Sequence, residues 1–293
     1  LSWAASHQTG FSAVVSLGAR MDVDIGDLID YFAQDYRTRA IVLHLDSLSE
    51  PRKFMSAARA AARSKPVIVI RSGRSRDIRG TGRTHAGRLA DPDLVYEAVF
   101  RRAGMMRVDD LDEMFEAVET LSRIRVPKCE TIAVVANGQS LASLAADGLS
   151  DMGGKIASMN SATRDALIPF CRTPLPSDDG ANDLARIVLK EDLPPDDLKA
   201  ALQVLLADKG IDGVVSLHAA TAFTSLRMIG NAIAETVEAE RKRTRRAKAL
   251  VTALVGGDGT TRGALDAAGV PCYASPAEAV RSIMHLERDE IGR

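Results

Sequence analysis

One histidine stands among small residues in Gly82-Arg83-Thr84-His85-Ala86-Gly87, inside a stretch, 72–90, that holds four glycines and five arginines besides the histidine. An imidazole there can act as a nucleophile or proton shuttle near neutral pH, because its unperturbed pKa is about 6.5. Glycines at 73, 80, 82 and 87 let backbone approach a ligand closely, and free N–H groups in such a loop favour anions. On residue types alone His85 also reads as a solvated surface side chain, and both readings stand at this level. Asp46 is the second candidate. It closes the apolar run 39–46, so if that run and 67–70 are parallel strands it lies at the sheet edge from which the His85 loop emerges. The alternative reading of Asp46 is a helix N-cap or turn residue ahead of Pro51.

The elements that must position these residues follow from hydrophobic period. Val67-Ile68-Val69-Ile70, between Pro66 and the Ser72-Gly73 turn, suits a strand buried on both faces of a parallel sheet. Strands are expected at 11–17, 39–46 and 105–108, and helices over 22–34, 51–63, 93–103 and 111–124, the last opening on Asp109-Asp110. Strand and helix alternate at the spacing of βαβ units. His44 reads as a packed polar residue rather than a ligand.

Val126-Pro127-Lys128 reads as a linker, after which the alternation restarts with a strand at 131–136 and a helix over 141–149. Asn137 and Gly138 fall between them, where backbone amides at a helix start could meet phosphate or substrate; the alternative is a glycine needed only for turn geometry. Prolines cluster between 160 and 195, so an irregular connection with one short helix at 162–167 is expected. Beyond it come helices over 198–207, 222–240, 262–268 and 276–287, and strands at 213–217, 249–255 and 270–273. His218 at a strand end reads as structural. The basic run from Arg241 to Lys248 reads as a solvated helix end, since cations suit the helix dipole and no aromatic residue interleaves for base stacking. The Gly256-Gly257-Asp258-Gly259 turn lacks the lysine of a P-loop and reads as a plain connection.

The chain has 293 residues, 46% hydrophobic and 26% charged, enough for two domains. With 38 Lys and Arg against 39 Asp and Glu, the net charge of -1 gives no global pull toward nucleic acid or an anionic membrane. Cys129, Cys171 and Cys272 lie far apart with no His at ligand spacing, so neither a metal site nor a disulfide framework is expected. A cytoplasmic protein with no membrane and no nucleic-acid partner is the expectation; a homo-oligomer is left open. Leu1-Ser2-Trp3-Ala4-Ala5 reads as the last turns of a helix begun upstream, so a piece of a longer protein is expected.

Gly82 to Gly87, with Arg71-Ser72-Gly73-Arg74-Ser75 before it and Tyr96-Glu97-Ala98-Val99-Phe100-Arg101-Arg102-Ala103-Gly104 after it, resembles the phosphohistidine segment of the NDP-forming acyl-CoA synthetases. The His-Ala-Gly triplet is also that of the succinyl-CoA synthetase α subunit. Phe54-Met55-Ser56-Ala57-Ala58-Arg59 and Ala117-Val118-Glu119-Thr120-Leu121-Ser122 are closer to the synthetase-like region of bacterial Pat-type protein lysine acetyltransferases, in which that region is fused to a GNAT domain. The resemblance implies an α/β fold of two consecutive flavodoxin-like, succinyl-CoA synthetase-like, doubly wound parallel-sheet domains, 1–127 (N-terminally incomplete) and 128–293. It implies catalysis by His85 with Asp46, at a position where the family has Glu, and phosphate or substrate contact at Ser72, Gly73, Thr84, Ala86, Gly87, Asn137 and Gly138, with Arg71, Arg74 and Arg83 steadying phosphate. It also implies CoA or acyl-CoA and ADP or ATP with Mg2+ for the full-length protein, none held tightly by this fragment. The partners it implies are CoA-binding and ATP-grasp domains in the same chain or a separate subunit, or a GNAT domain. Two functions follow: a fragment of an acyl-CoA synthetase working through phosphohistidine, or a non-catalytic sensing or scaffold region of a Pat-like acetyltransferase. Asn182-Asp183-Leu184 stands where the family has an Asn-Pro-x-Asp-Leu motif, without the proline.

Overall fold

The computed structural model describes residues 10–17, 22–48, 50–72, 92–124, 129–172, 185–244 and 247–292. The expected linker 126–128, the Asn182-Asp183-Leu184 segment and the His85 loop lie outside these residues. Contacts divide the chain into two units, 1–122 with 288–293, and 123–287.

The first unit contains α1 (Ile25–Gln34), β1 (Ile41–Leu45), α2 (Pro51–Ala62), β2 (Val67–Arg71), α3 (Pro92–Ala103), β3 (Met106–Val108) and α4 (Leu111–Arg123). Its sheet has the order β1-β2-β3, all parallel, with Leu45 opposite Arg71 and Val69 opposite Arg107. Every residue of β2 is buried, as a central strand between two covered faces requires. Val67 and Val69 face a core made with Ile29, Phe54 and Phe100, and a stripe of alanines (57, 58, 61, 62) lets α2 lie close to the sheet. Asp24 caps α1 in a reciprocal pair with Asp27, and Lys65 Nζ binds the carbonyls of Phe32 and Asp35 at its other end. Gly104 (φ 74°) turns the chain from α3 into β3 in the left-handed region that glycine tolerates.

Two expectations fail here. Residues 11–17 form no strand and leave Phe11, Val14 and Val15 exposed. Their β-branched pattern was the signal, but strand pairing depends on a partner edge that local sequence does not specify. His44 is exposed rather than packed, because β1 is the edge strand of its three-stranded sheet.

The second unit holds β4 (Thr131–Ala136), α5 (Gln139–Asp151), β5 (Lys155–Ile156), α6 (Ser161–Leu167), β6 (Arg186–Val188), α7 (Pro195–Ala207), β7 (Gly213–Ala219), α8 (Leu226–Arg243), β8 (Ala249–Val255), α9 (Gly259–Ala267) and β9 (Cys272–Tyr273), with most of α10 (Pro276–Gly292). Its parallel sheet runs β5-β4-β7-β8-β9, and β6 pairs with β4 at Val134–Ala136, above β5 at Thr131 and Ile132. The strands β5 and β6 fall where irregular chain was expected at 160–195 and just before it. Helices α7, α8 and α9 cover one face through Leu202, Leu205, Ile229, Ile233 and Leu265. On the opposite face Gly213 lies so close to Ile283 of α10 and to Cys129 that a Cβ would fall within 3.0 Å of both. Both units are therefore α/β with parallel sheets, and the second is wound on both faces, the flavodoxin-like class expected from sequence.

Two surface readings hold, the first with added partners. Arg241, Lys242 and Arg243 close α8 exposed, as expected of a helix end; Arg241 also donates to the carbonyls of Ala268 and Gly269, Arg243 pairs with Glu240, and Lys248 donates to the Asp208 carbonyl. The Gly256–Gly259 turn is a plain connection, because the Asp258 carboxylate accepts from Thr260 and Thr261 N–H at 3.1 and 3.2 Å, where a bound phosphate would otherwise sit.

Candidate functional site

Parallel pairing puts the carboxyl ends of β1 and β2 side by side. Ser72 N–H donates to the Leu45 carbonyl at 2.9 Å, so Asp46 and Ser72 leave the sheet as neighbours. Asp46 is exposed and its carboxylate accepts from the Ser47 hydroxyl at 3.2 Å. It is not the N-cap of α2, a place held by Glu50 without a side-chain bond. His85, with Gly73, Thr84, Ala86 and Gly87, and with Arg74 and Arg83, lies outside the described residues.

The two flanks of the His85 loop are joined by an ion cluster that sequence reasoning missed. Arg71, its side chain 5% exposed, donates to Asp93 Oδ1 and lies over the Tyr96 ring at 4.0 Å. Arg107 donates to Asp93 Oδ2 at 2.7 Å and to Glu97 at 2.9 Å. Burial by itself would raise the Asp93 carboxyl; the guanidinium groups of Arg107 and Arg71 overcome that and hold it below the ordinary carboxylate range. The cluster follows from register: Val69 pairs with Arg107, so residues 71 and 107 project on one face of the sheet, above the first turn of α3. An arginine at the end of β2 and another in the middle of β3 were the signal. Arg71, expected to steady phosphate, gives one guanidinium nitrogen to Asp93 and lies over Tyr96.

In the second unit β4 leads through α5 to β5 on one side, and β7 leads through α8 to β8 on the other, so the carboxyl ends of β4 and β7 form the switch point where open α/β sheets bind ligands. Asn137 lies there. Its Nδ2 donates to the Ala219 carbonyl at 2.7 Å and its Oδ1 accepts from Ala219 N–H at 3.0 Å, which extends the β4–β7 ladder with a side chain. The Asn137 amide thus serves the fold. Gly138 begins α5 with no side-chain cap, and a Cβ added to it would meet nothing closer than 3.8 Å. The first amides of α5 thus start without a side-chain cap, as an anion-binding helix start requires. Beside it is a small cavity of about 20 Å³ lined by Asn137, Lys190, Glu191, His218 and Thr224 among others. His218 is buried with Nε2 2.7 Å from Ser216 Oγ, and burial pushes its pKa down to about 4, so the ring is neutral. That is the structural role expected for it. Among the described residues no group of His, Cys, Asp and Glu stands close enough together to hold a metal ion, so these residues do not by themselves offer a Mg2+ centre. No helix of the described residues is long and apolar enough to cross a membrane.

Residues 1–121 match the family described as succinyl-CoA ligase like flavodoxin domain. The chain is 28% identical over 288 residues to acetate–CoA ligase [ADP-forming] I subunit alpha of Pyrococcus furiosus, covering 98% of this chain and 60% of that one. It is 29% identical over 290 residues to acetate–CoA ligase [ADP-forming] I of Archaeoglobus fulgidus, covering 98% and 39%. The chain therefore spans less than two thirds of the length of these relatives. In fold it matches dinucleotide forming acetyl-coenzyme A synthetase 1 of Ca. Korarchaeum cryptofilum with TM-score 0.83 and 21% identity over 98% of this chain and 61% of the other, a protein also solved in complex with phosphate and ADP. The chain thus carries a succinyl-CoA ligase-like flavodoxin match in its first part and similarity to ADP-forming acetate–CoA ligases along nearly all its length.

Proposed function

We propose that this chain is the two-domain portion, divided near 127/128, of an NDP-forming acyl-CoA synthetase in which His85 carries a phosphoryl group. In this reading His85 attacks the phosphorus of an acyl phosphate; an N–P bond forms, the P–O bond to the acyl oxygen breaks, and the carboxylate leaves. The phosphoryl group then passes to ADP, restoring neutral imidazole. Asp46 accepts the ring's other N–H and fixes its tautomer. Ser72 offers its hydroxyl to the phosphate and Gly73, Thr84, Ala86 and Gly87 their backbone N–H groups, and the α5 start at Gly138, beside Asn137, offers a second anion place. CoA, nucleotide and Mg2+ are contributed by CoA-binding and ATP-grasp parts of the full-length protein, which binds them in a cytoplasmic setting.

The observation that supports this most is the pairing of β1 with β2. It sets Asp46 beside Ser72, the residue from which the chain departs toward His85. The test is phosphate that is acid-labile and base-stable on the full-length protein given acetyl-CoA and phosphate, or ATP. His85→Ala abolishes the label, and Asp46→Asn slows its formation by about 10²-fold, the scale of a group that orients a histidine. Equal label in His85→Ala refutes the proposal.

A second reading, a sensing or scaffold region of a Pat-like acetyltransferase, draws on the 54–59 and 117–122 segments and on Asn137, whose amide is used by Ala219 rather than left for a ligand. Acyl-CoA binding without any phosphorylation, together with a GNAT domain in the same reading frame, favours it.

A further inference from the structure

A knot of charged side chains lies at the amino-terminal end of the second unit's sheet, opposite the switch point. Residues 208–212 lead from α7 into β7, and Lys248 immediately precedes β8; parallel pairing of Gly213 with Ala249 sets Asp212 and Lys248 side by side. The Asp208 carboxylate accepts from Gly210 N–H at 2.8 Å and from Asn160 Nδ2 at 2.9 Å. The Asp212 carboxylate accepts from the Thr131 N–H at 3.1 Å, from its hydroxyl at 2.8 Å and from Glu130 N–H at 3.2 Å. Glu240 is held by Arg243. The three carboxylates that act on Lys248 thus each have donors of their own.

Lys248 is half-buried, and its Nζ donates to the Asp208 backbone carbonyl rather than to a carboxylate. The two kinds of partner differ chemically. A carboxylate holds a lysine as ammonium, as Asp24 and Asp27 hold Lys53 and as Asp196 and Glu235 hold Lys199. A carbonyl is satisfied equally by a neutral amine, which keeps the N–H···O bond and still has its lone pair. Burial, helped by the nearby Arg243 charge, moves the Lys248 pKa below its ordinary value against the pull of Asp208, Asp212 and Glu240. Beside this lysine Arg241, Lys242 and Arg243 close α8 exposed, the Arg243 side chain 62% so. Arg241 is bonded to the carbonyls of Ala268 and Gly269, which carry no net charge to cancel its own. An exposed cationic helix end next to a nucleophilic amine raises the local concentration of anionic reagents.

We propose that Lys248 is a self-acylation site, whose Nζ takes acyl groups from anionic activated acyl compounds, acyl phosphates or phosphate-bearing acyl thioesters, gathered by the basic end of α8. The amine lone pair attacks the acyl carbon, and the C–O bond of the acyl phosphate or the C–S bond of the thioester breaks. Phosphate or thiolate leaves with the electron pair, the Nζ proton passes to water, and an amide remains. The product lacks the charge that offsets Asp208, Asp212 and Glu240, so acylation weakens the tie between residue 248 and the end of α7. The choice of donor rests on the proposed function, in which such compounds are made; the reactivity of the lysine does not.

The test adds acetyl phosphate, acetyl-CoA or the uncharged p-nitrophenyl acetate to the full-length protein and follows acetylation of each lysine by mass spectrometry at low conversion. With either anionic donor near pH 7.5, Lys248 should be labelled about threefold faster than exposed Lys242, because a larger share of it is neutral amine. Its rate should also level off at lower pH than that of Lys242. Raising salt from about 20 mM to about 300 mM should slow Lys248 labelling by the anionic donors about threefold and leave labelling by p-nitrophenyl acetate unchanged. Lys248→Arg, which keeps a donor for the Asp208 carbonyl, should lose label at that position alone. Labelling of Lys248 no faster than Lys242, coincident pH curves, or the same salt response for charged and uncharged donors each overturn the proposal. His85→Ala given the same donors should be labelled at Lys248 like the wild type, so loss of the phosphohistidine reading and loss of this one are separate results.

Discussion

His218 makes the second unit sensitive to acid. The ring is fully enclosed near the carboxyl end of β7, bonded to Ser216, whose carbonyl in turn accepts from Thr252 on β8. The charged groups nearest it line the same small cavity and are already engaged: Lys190 donates to the Pro169 carbonyl and Glu191 pairs with Arg172. Burial lowers the folded pKa from 6.5 to about 4. Between those values the unfolded chain binds a proton that the folded chain refuses, so stability falls as pH drops through the window and is fully present above 6.5. A gap of about 2.5 pH units at 1.36 kcal/mol each gives roughly 3 kcal/mol in total, of which about 2.5 kcal/mol is lost by pH 4.5. His218→Gln keeps a hydrogen-bonding amide beside Ser216 and cannot titrate. Because the chain has two units, a single global melt mixes transitions; amide exchange at β7 and β8 reads this sheet alone. From about pH 7.5 to 4.5 the wild-type opening free energy should fall more than that of His218→Gln by roughly 2.5 kcal/mol. Parallel pH curves, within about 0.5 kcal/mol, would refute the reasoning, for then the imidazole charges without cost and is not enclosed as described.

Asp93→Asn removes the carboxylate shared by Arg71 and Arg107, and should cost about 2 kcal/mol in denaturant unfolding of the first unit, less than for a fully buried pair because Asp93 is 28% exposed. Its depressed pKa means that this stability is present above about pH 4 and disappears as pH falls through the folded value, so the variant's deficit shrinks in acid. Asn137→Ala breaks both bonds to Ala219 and should destabilise the second unit by about 1–3 kcal/mol, measured by urea unfolding. Gly104→Ala meets a positive φ and should cost about 1 kcal/mol, whereas Gly138→Ala, at φ -149° with its Cβ in ordinary contact with Leu141, should change stability by less than about 0.5 kcal/mol.

The readable part of this chain is the part governed by local period. Continuous apolar runs such as 67–70 and 249–255 lie within fully paired parallel strands, and the helices at 51–63 and 111–124 have ends within a residue or so of the expected ones, because proline at the first turn and aspartates ahead of the helix are local devices. Strands of two or three residues, 155–156 and 186–188, are set by β4 supplying an edge, and nothing within them announces that. The same limit explains 11–17, whose strand-like residues stand exposed. Site chemistry was legible as residue types and not as partnerships. Asn137 has a donor that phosphate binding could use, yet Ala219, far away in sequence and near in register, already takes it, and Arg71 shares its guanidinium with Asp93. Asp46 and Ser72 do emerge side by side, since parallel pairing of two recognised strands was enough to bring them together.

The clasp between Arg71, Asp93 and Arg107 joins side chains that stand on either side of the loop. The last rung of the sheet and the opening turn of the following helix are thereby tied to each other by residues that an exchange of the glycines, arginines or histidine between them leaves in place. A lineage with this arrangement can gain or discard the reactive group without rebuilding the scaffold, and an engineer could splice a foreign segment between those two anchors with the same freedom.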